Sequence, residues 1–274
     1  MKRTIELLCL AMLSGVPVQV TGQAMPTVAI IGTGDMGNSL GPKIGRLGYP
    51  IVYGSREPSR ETVRVLVQQT GENASAASQR DAAARAQIVI LAVQWPPMET
   101  VAQNLGDLSG KIVVDVSYPV RRGGDGYMEQ SVEPSAGELI QSWNPRAKVV
   151  KVGIPSSYVV DDPMTLGTMP TVPIAANDRE AKESVAKLIA GIGLDPWDAG
   201  PLRFSRSIEA FGLLFWVPLQ QGRKEGIEMK FIRSSYWPCV WDVPKEFGPT
   251  ADHGNLAQFP ERESPRPCDS YRSR

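Results

Sequence analysis

Four aliphatic residues, Val28-Ala29-Ile30-Ile31, run directly into Gly32-Thr33-Gly34-Asp35-Met36-Gly37, and a helical pattern follows from Asn38 to Leu47. No other stretch constrains the chain as much. A buried strand must turn sharply at Gly32, present backbone N–H groups without a Cβ in the way at Gly34, and let the next helix lie close against the strand at Gly37. Such a turn needs a sheet on which strand and helix both pack. The remaining sequence supplies one: Ile51 to Tyr53, Ile88 to Val93, Ile112 to Val116, Val149 to Gly153 and Val172 to Ala176 are short runs apolar on both faces, the pattern of buried parallel strands. Helical periodicity lies between them, from Glu61 to Gln69 and from Arg179 to Ile192. In the second, Ala181, Val185, Leu188, Ile189 and Ile192 form one stripe and Glu180, Lys182, Glu183 and Lys187 stay outside it. The expected fold is α/β, a doubly wound, mostly parallel sheet with a C-terminal helix from Phe204 to Leu219 and an irregular tail.

Composition narrows the chemistry. With 29 Lys and Arg against 29 Asp and Glu in 274 residues, the chain is neutral, and no basic face for nucleic acid or an anionic membrane is expected. No apolar run reaches the roughly 20 residues of a membrane helix, and the longest, Phe211 to Leu219, contains Pro218. Cys9, Cys239, Cys268 and the single His253 have no partners at metal-ligand spacing. Cys239 and Cys268 could pair in an exported chain, and two separate thiols fit equally well.

The expected division is a leader over 1–24, a nucleotide-binding domain over 25–225 and a tail over 226–274. Lys2 and Arg3 before the apolar stretch Leu7 to Leu13, with Gly22-Gln23-Ala24 behind it, read as a secretory signal. Against that, Glu6 interrupts the stretch, and Met25 opens the first strand as an internal start would. A true signal places the protein in the periplasm or outside the cell; otherwise it is cytoplasmic. The tail, with Trp237 and Trp241, has no sustained period.

The glycine turn has a buried strand before it, a helix after it and a second strand on schedule, which is the context of a dinucleotide site with its pyrophosphate at the helix N-terminus. Where an NAD-preferring fold places an acid at the end of the second strand, this chain has Gly54-Ser55-Arg56, with Arg60 beyond. The Ser55 hydroxyl and the planar fork of Arg56 suit a 2′-phosphate. Charge-assisted bonds of about 1.5–3 kcal/mol correspond to a roughly 10- to 100-fold preference for NADP over NAD.

The glycine turn, Tyr53-Gly54-Ser55-Arg56-Glu57-Pro58, Lys111 to Pro119, Val149 to Gly153 and Asp198-Ala199-Gly200-Pro201-Leu202 together carry a resemblance. Over about residues 26 to 225 the chain resembles the NADP oxidoreductase family dependent on coenzyme factor 420, a deazaflavin, and equally the oxidoreductase domain of the six-transmembrane metalloreductases. The resemblance implies a Rossmann-type fold with NADPH along Gly32, Thr33, Gly34, Asp35, Met36 and Gly37 and at Ser55, Arg56 and Arg60. It implies a nicotinamide near Ala92, Val93, Asp115, Ser117, Pro119, Gly153 and Ile154, facing a flavin or deazaflavin. Two segments depart from the family. Ser117-Tyr118-Pro119 stands where Asn-Pro or Val-Pro is common, and Lys151-Val152-Gly153-Ile154-Pro155 stands where Lys-Ala-Phe-Asn is common. The changed wall bears on the acceptor more than on NADP. Metal reduction through a membrane haem is not carried over.

Hydride transfer between two bound ring systems asks for orientation and exclusion of water rather than a proton shuttle, so no catalytic side chain is singled out. Asp115 either contacts a ribose or nicotinamide-proximal group or caps the following turn. Lys151 is expected as a solvated edge residue, with neutralisation of an acidic substrate as the alternative. Arg203 and Arg206 read as helix-surface charge or as contacts to an anionic tail of the second cofactor. The C-terminal helix is expected to bury against the sheet or to join a homodimer. Two rival functions stand: an imine reductase of the pyrroline-carboxylate type, which usually adds a helical dimerisation domain, and a non-catalytic NADP-binding redox sensor. Export would separate the protein from NADPH.

Overall fold

The computed structural model describes residues 25–154, 156–164, 167–224 and 227–232. The expected leader, with Cys9, and the tail residues Trp237, Cys239, Trp241, His253 and Cys268 lie outside the described residues.

The chain opens with β1 (Val28–Ile31), α1 (Asp35–Arg46), β2 (Ile51–Ser55), α2 (Glu61–Thr70), β3 (Ala74–Ser78), α3 (Gln79–Arg85), β4 (Ile88–Leu91) and α4 (Met98–Asn104). It continues with β5 (Ile112–Asp115), a hairpin of β6 (Val120–Arg122) and β7 (Met128–Gln130), α5 (Ala136–Trp143), β8 (Lys148–Val152), α6 (Ser157–Asp161), β9 (Thr171–Ala176), α7 (Arg179–Gly191) and β10 (Asp195–Gly200). A 3₁₀ turn at Leu202–Phe204 leads into α8 (Ser205–Leu214) and α9 (Val217–Gln220). Among the described residues, eight strands form one sheet in the order β10-β9-β8-β5-β4-β1-β2-β3.

Alternation along β1 shows why the sheet is covered on both sides. Val28 and Ile30 face one cluster, with Leu40 and Ile44 of α1, Leu66 of α2 and Val185 and Ile189 of α7. Ala29 and Ile31 face the other, with Ala82 and Ala83 of α3, Met98 of α4 and Ile140 of α5. All four β1 residues are fully buried. Truncating any one of the Ile residues would cost about 2–5 kcal/mol.

Three details differ from the sequence reading. The sheet is mostly parallel as expected, but the run from Val172 to Ala176, read as parallel like the others, forms β9 antiparallel to β8, and β10 follows β9. A run that is apolar on both faces looks the same in either direction, so its polarity is not written in its pattern. β3 was not expected at all: Ala-Ser-Ala-Ala-Ser has low β-propensity, and it pairs only with β2 at the sheet edge. The expected single helix from Phe204 to Leu219 breaks at Phe215–Trp216, and Pro218, which has no N–H to donate, sits in the first turn of α9. That helix buries only a narrow stripe of Ser205, Ile208, Glu209 and Gly212, while Phe211 and Leu214 are about half exposed, at 48 % and 52 %.

Residues 227–232 lie against the first residues of β9 and β10, at the end of the sheet. The Thr171 N–H donates to the Met229 carbonyl (2.8 Å), the Phe231 N–H donates to the Thr171 hydroxyl (3.0 Å), and Lys230 pairs with Asp195 (2.6 Å). The Phe231 ring packs edge-on against Trp197 with centroids 4.9 Å apart. Glu228 accepts from the Ser156 and Tyr158 hydroxyls at 3.1 and 2.5 Å. Burial holds its carboxyl above the ordinary Glu range, opposed by those two hydroxyls. A carboxyl raised in the folded state gives stability that is complete below the ordinary Glu pKa and is lost as pH rises through the folded value. Glu228→Gln keeps an acceptor and removes the titration. Its melting temperature should equal or exceed that of the parent at neutral pH, and melts from pH 7 to pH 4 should show the difference shrinking as pH falls.

Candidate functional site

The chain leaves β1 toward β2 on one side and returns to β4 on the other, so a crevice opens beyond the carboxyl ends of β1 and β4. The two loops that bound it touch backbone to backbone. A Cβ on Gly32, whose φ is +109°, would stand 2.3 Å from the Ala92 carbonyl oxygen, and a Cβ on Gly37 would stand 2.2 Å from the Gly32 carbonyl oxygen. Gly34 differs, since nothing lies within 4 Å of where its Cβ would be. Gly34 is the N-cap of α1 and no side chain caps the helix, so the first-turn N–H groups are available to an anion. The helix starts at Asp35, three residues before the expected Asn38, which puts Asp35 and Met36 in that first turn.

A groove of about 610 Å³ lies over this turn, lined by Gly32, Thr33 and Gly34, by Ser55 at the end of β2 with Arg56, Glu57 and Arg60 beyond it, by Gln79 of α3, by Pro97 just before α4 and by Thr100, Val101 and Asn104 of α4. Ser55 is buried, and its hydroxyl accepts from the Glu57 N–H (3.1 Å). The Arg60 guanidinium donates to the Thr62 hydroxyl (2.9 Å). Two guanidiniums and one carboxylate leave this end of the groove positive, as a phosphate requires. An uncapped helix end, an open Gly34 and two arginines fit an NADP phosphate backbone.

A second chamber of about 330 Å³ adjoins the groove and shares Ala92, Val93 and Gln94 with it. Its other walls are Met36, Trp95, Val116, Ser117, Tyr118, Val120 and Trp216, none of them charged. Sequence reasoning had not singled out Trp95 or Trp216. The first follows β4 by four residues in a Trp-Pro-Pro run, where an aromatic at a strand's carboxyl end could have been noticed. Trp216 arrives because the end of α8 lies against the segment that follows β5, where Gly212 faces the Tyr118 ring.

The structure places the expected residues in two groups. Gly32, Thr33, Gly34, Met36, Ser55, Arg56, Arg60, Ala92, Val93 and Ser117 line the two cavities. Gly37, Asp115, Pro119, Gly153 and Ile154 are buried away from the walls, and exposed Asp35 does not line them. Gly153 instead packs on Ile208 and Pro173, since α8 and β9 close over the end of β8.

Asp115 caps the following turn. One of its carboxylate oxygens accepts from the Ser117 N–H (2.8 Å) and hydroxyl (2.6 Å), and the other accepts from Lys151 (2.9 Å). Lys151 was expected to be solvated and is instead 0 % exposed. Its ammonium also pairs with Glu209 of α8 (3.1 Å) and donates to the Ser117 carbonyl. Burial works against its charge, but Asp115 and Glu209 outweigh burial and hold its pKa above the ordinary lysine range. Burial pushes the Glu209 carboxyl up, with Lys151 opposing. Glu209 accepts from the Ala136 N–H (3.0 Å) at the start of α5 and from the Gln130 amide (3.0 Å). Arg206 pairs with Glu138 (2.7 Å) and Arg203 lies over Phe204, the surface-charge alternative for both.

The described residues contain no helix long and apolar enough to cross a membrane and no group of three or more His, Cys, Asp or Glu suited to a metal ion. Metalloreductase STEAP3 of Rattus norvegicus is 28 % identical over 191 residues, covering 69 % of this chain and 36 % of its own length, so the chain spans about a third of that relative. A protein from Arthrobacter sp. FB24, solved as a candidate F420-dependent NADP reductase, superposes with a TM-score of 0.66 at 27 % identity, over 76 % of this chain and all of the other. A hypothetical protein, SMa0349 of Sinorhizobium meliloti, superposes with a TM-score of 0.57 at 28 % identity, over 66 % of this chain and 88 % of the other. Residues 27–119, which hold the glycine turn, the Ser55-Arg56 pair and the strand ending at Asp115, match the family described as NADP oxidoreductase coenzyme F420-dependent, and the resemblance read from the motifs stands.

Proposed function

We propose that the protein is an NADPH-dependent oxidoreductase that passes a hydride to a flavin or deazaflavin ring in the second chamber. The observation that carries this reading is the junction of the two cavities at Ala92-Val93-Gln94, where a positive phosphate groove meets an uncharged aromatic chamber. The bound pair supplies the chemistry: a hydride leaves NADPH with two electrons, NADP⁺ remains, and the reduced acceptor takes up a solvent proton as its ring requires.

The residues bind, orient and exclude water. The α1 N-terminus and Gly34 take the pyrophosphate, and Ser55, Arg56 and Arg60 take the 2′-phosphate. Met36, Trp95 and Trp216 offer apolar surface to a planar ring and keep water from the transfer. A pyrroline carboxylate would bring a carboxylate into a chamber whose described walls hold no cation, which disfavours the imine-reductase alternative. A ferric ion would find no carboxylate, imidazole or thiolate there.

Steady-state NADPH oxidation with riboflavin, FMN, FAD, a deazaflavin and ferric chelates tests the reading. Turnover with a flavin or deazaflavin is expected; binding of NADPH without any turnover would favour the redox-sensor alternative. Arg56→Glu should lower the preference for NADPH over NADH by roughly 10- to 100-fold, read as the ratio of the two dissociation constants. A change at Gly34 separates from one at Gly37. Gly34→Ala should leave the melting temperature nearly unchanged and weaken NADPH binding about 10-fold or more. Gly37→Ala, with its Cβ against a backbone oxygen, should lower the melting temperature by several degrees.

A further inference from the structure

The acceptor chamber's wall is connected by hydrogen bonds to a charge that the chamber never meets. Lys151 is fully buried, and its ammonium has three acceptors: Asp115 (2.9 Å), Glu209 (3.1 Å) and the Ser117 carbonyl. Asp115 in turn takes the Ser117 hydroxyl proton at 2.6 Å. That proton is therefore directed inward, and the Ser117 oxygen is left to accept the Trp95 indole N–H at 2.9 Å. The donors run in one direction, from Trp95 to Ser117 to Asp115, and the ammonium fixes the charge at the inner end. Trp95, Ser117 and Tyr118 are all on the chamber wall, and the Tyr118 ring centroid lies 5.2 Å from the ammonium.

Stability alone does not account for this arrangement. Replacing a buried ion group by apolar side chains of similar size is often neutral or stabilising, whereas a directional chain of hydrogen bonds specifies one geometry. Glu209 holds the far side of the ammonium and is itself held by the Ala136 N–H of α5 and the Gln130 amide of β7. The position of the ammonium is thereby referred to β5, β8, α5, α8 and the hairpin at once.

We infer that Lys151 is a positioning residue for the acceptor chamber: through Asp115 and Ser117 it fixes the Trp95 indole, and so the acceptor's fit, without contributing to NADPH binding. The inference deepens the hydride-transfer reading and rests on it for the identity of the chamber. Three variants of the full chain test it, and a fourth assigns the reporting resonance. Ser117→Ala cuts the chain and leaves every buried charge in place. Lys151→Met removes its origin, and Lys151→Met/Asp115→Asn removes one charge of each sign should the single variant fail to fold. Trp95→Phe assigns the Trp95 indole resonance in a ¹⁵N-tryptophan spectrum.

With FMN as the acceptor, Ser117→Ala and the Lys151 variant are each expected to raise KM for FMN about 10-fold, with the NADPH dissociation constant unchanged. The Trp95 indole N–H resonance should move and exchange faster with solvent in both. An unmoved Trp95 resonance, or a loss of NADPH affinity parallel to that of FMN, overturns the inference. If the parent protein oxidises no NADPH with FMN, the FMN reading of the chamber fails, and the indole resonance still decides whether Lys151 positions Trp95.

Discussion

The approach of the Gly32 turn to the Ala92 carbonyl is the constraint on which the rest of the site depends. Two backbone segments meet there with no room for a side chain, because β1 and β4 are hydrogen-bonded neighbours and both end at the same level. That contact holds the start of α1 over the crevice, with its first-turn N–H groups uncapped, and it makes Ala92 to Gln94 the wall common to groove and chamber. A side chain at Gly32 would push the two loops apart and separate the groove from the chamber.

The second organising feature is electrostatic. The buried group of Lys151, Asp115 and Glu209 joins the end of β5 to β8 and α8, and through Ala136 to the start of α5. The Lys151 ammonium compensates both carboxylates, and the start of α5 donates to Glu209, in a place where any one charge alone would be costly. The groove is lined by exposed arginines beside an open helix end, whereas the chamber wall is hydrogen-bonded to buried charges that do not line it.

Much of the nucleotide half was legible in the sequence. The strand from Val28 to Ile31, the glycine spacing and the Ser55-Arg56 pair lie within thirty residues, and local rules suffice because the backbone turn, the helix end and the groove-lining residues after it are all near one another in the chain. The chamber was less legible. Trp216 reaches it through the break before Pro218, Gly153 is covered by Ile208 of α8 and Pro173 of β9, and Ile154 is buried in the core. Lys151 looked like a solvated cation, because a lysine inside an apolar run gives no sign of the two carboxylates, one 36 residues before it and the other on α8, that meet it in space.

The sequence by itself determined the α/β alternation, the sheet buried on both faces and the dinucleotide turn, since these follow from local periodicity and from what glycine permits. Tertiary structure alone decided the antiparallel direction of β9, the edge strand of small residues at Ala74–Ser78 and the burial of Lys151. The physical reason is common to all three. Each depends on pairing or compensation between segments distant in the chain, and neither a hydrophobic period nor a residue's own polarity carries that information.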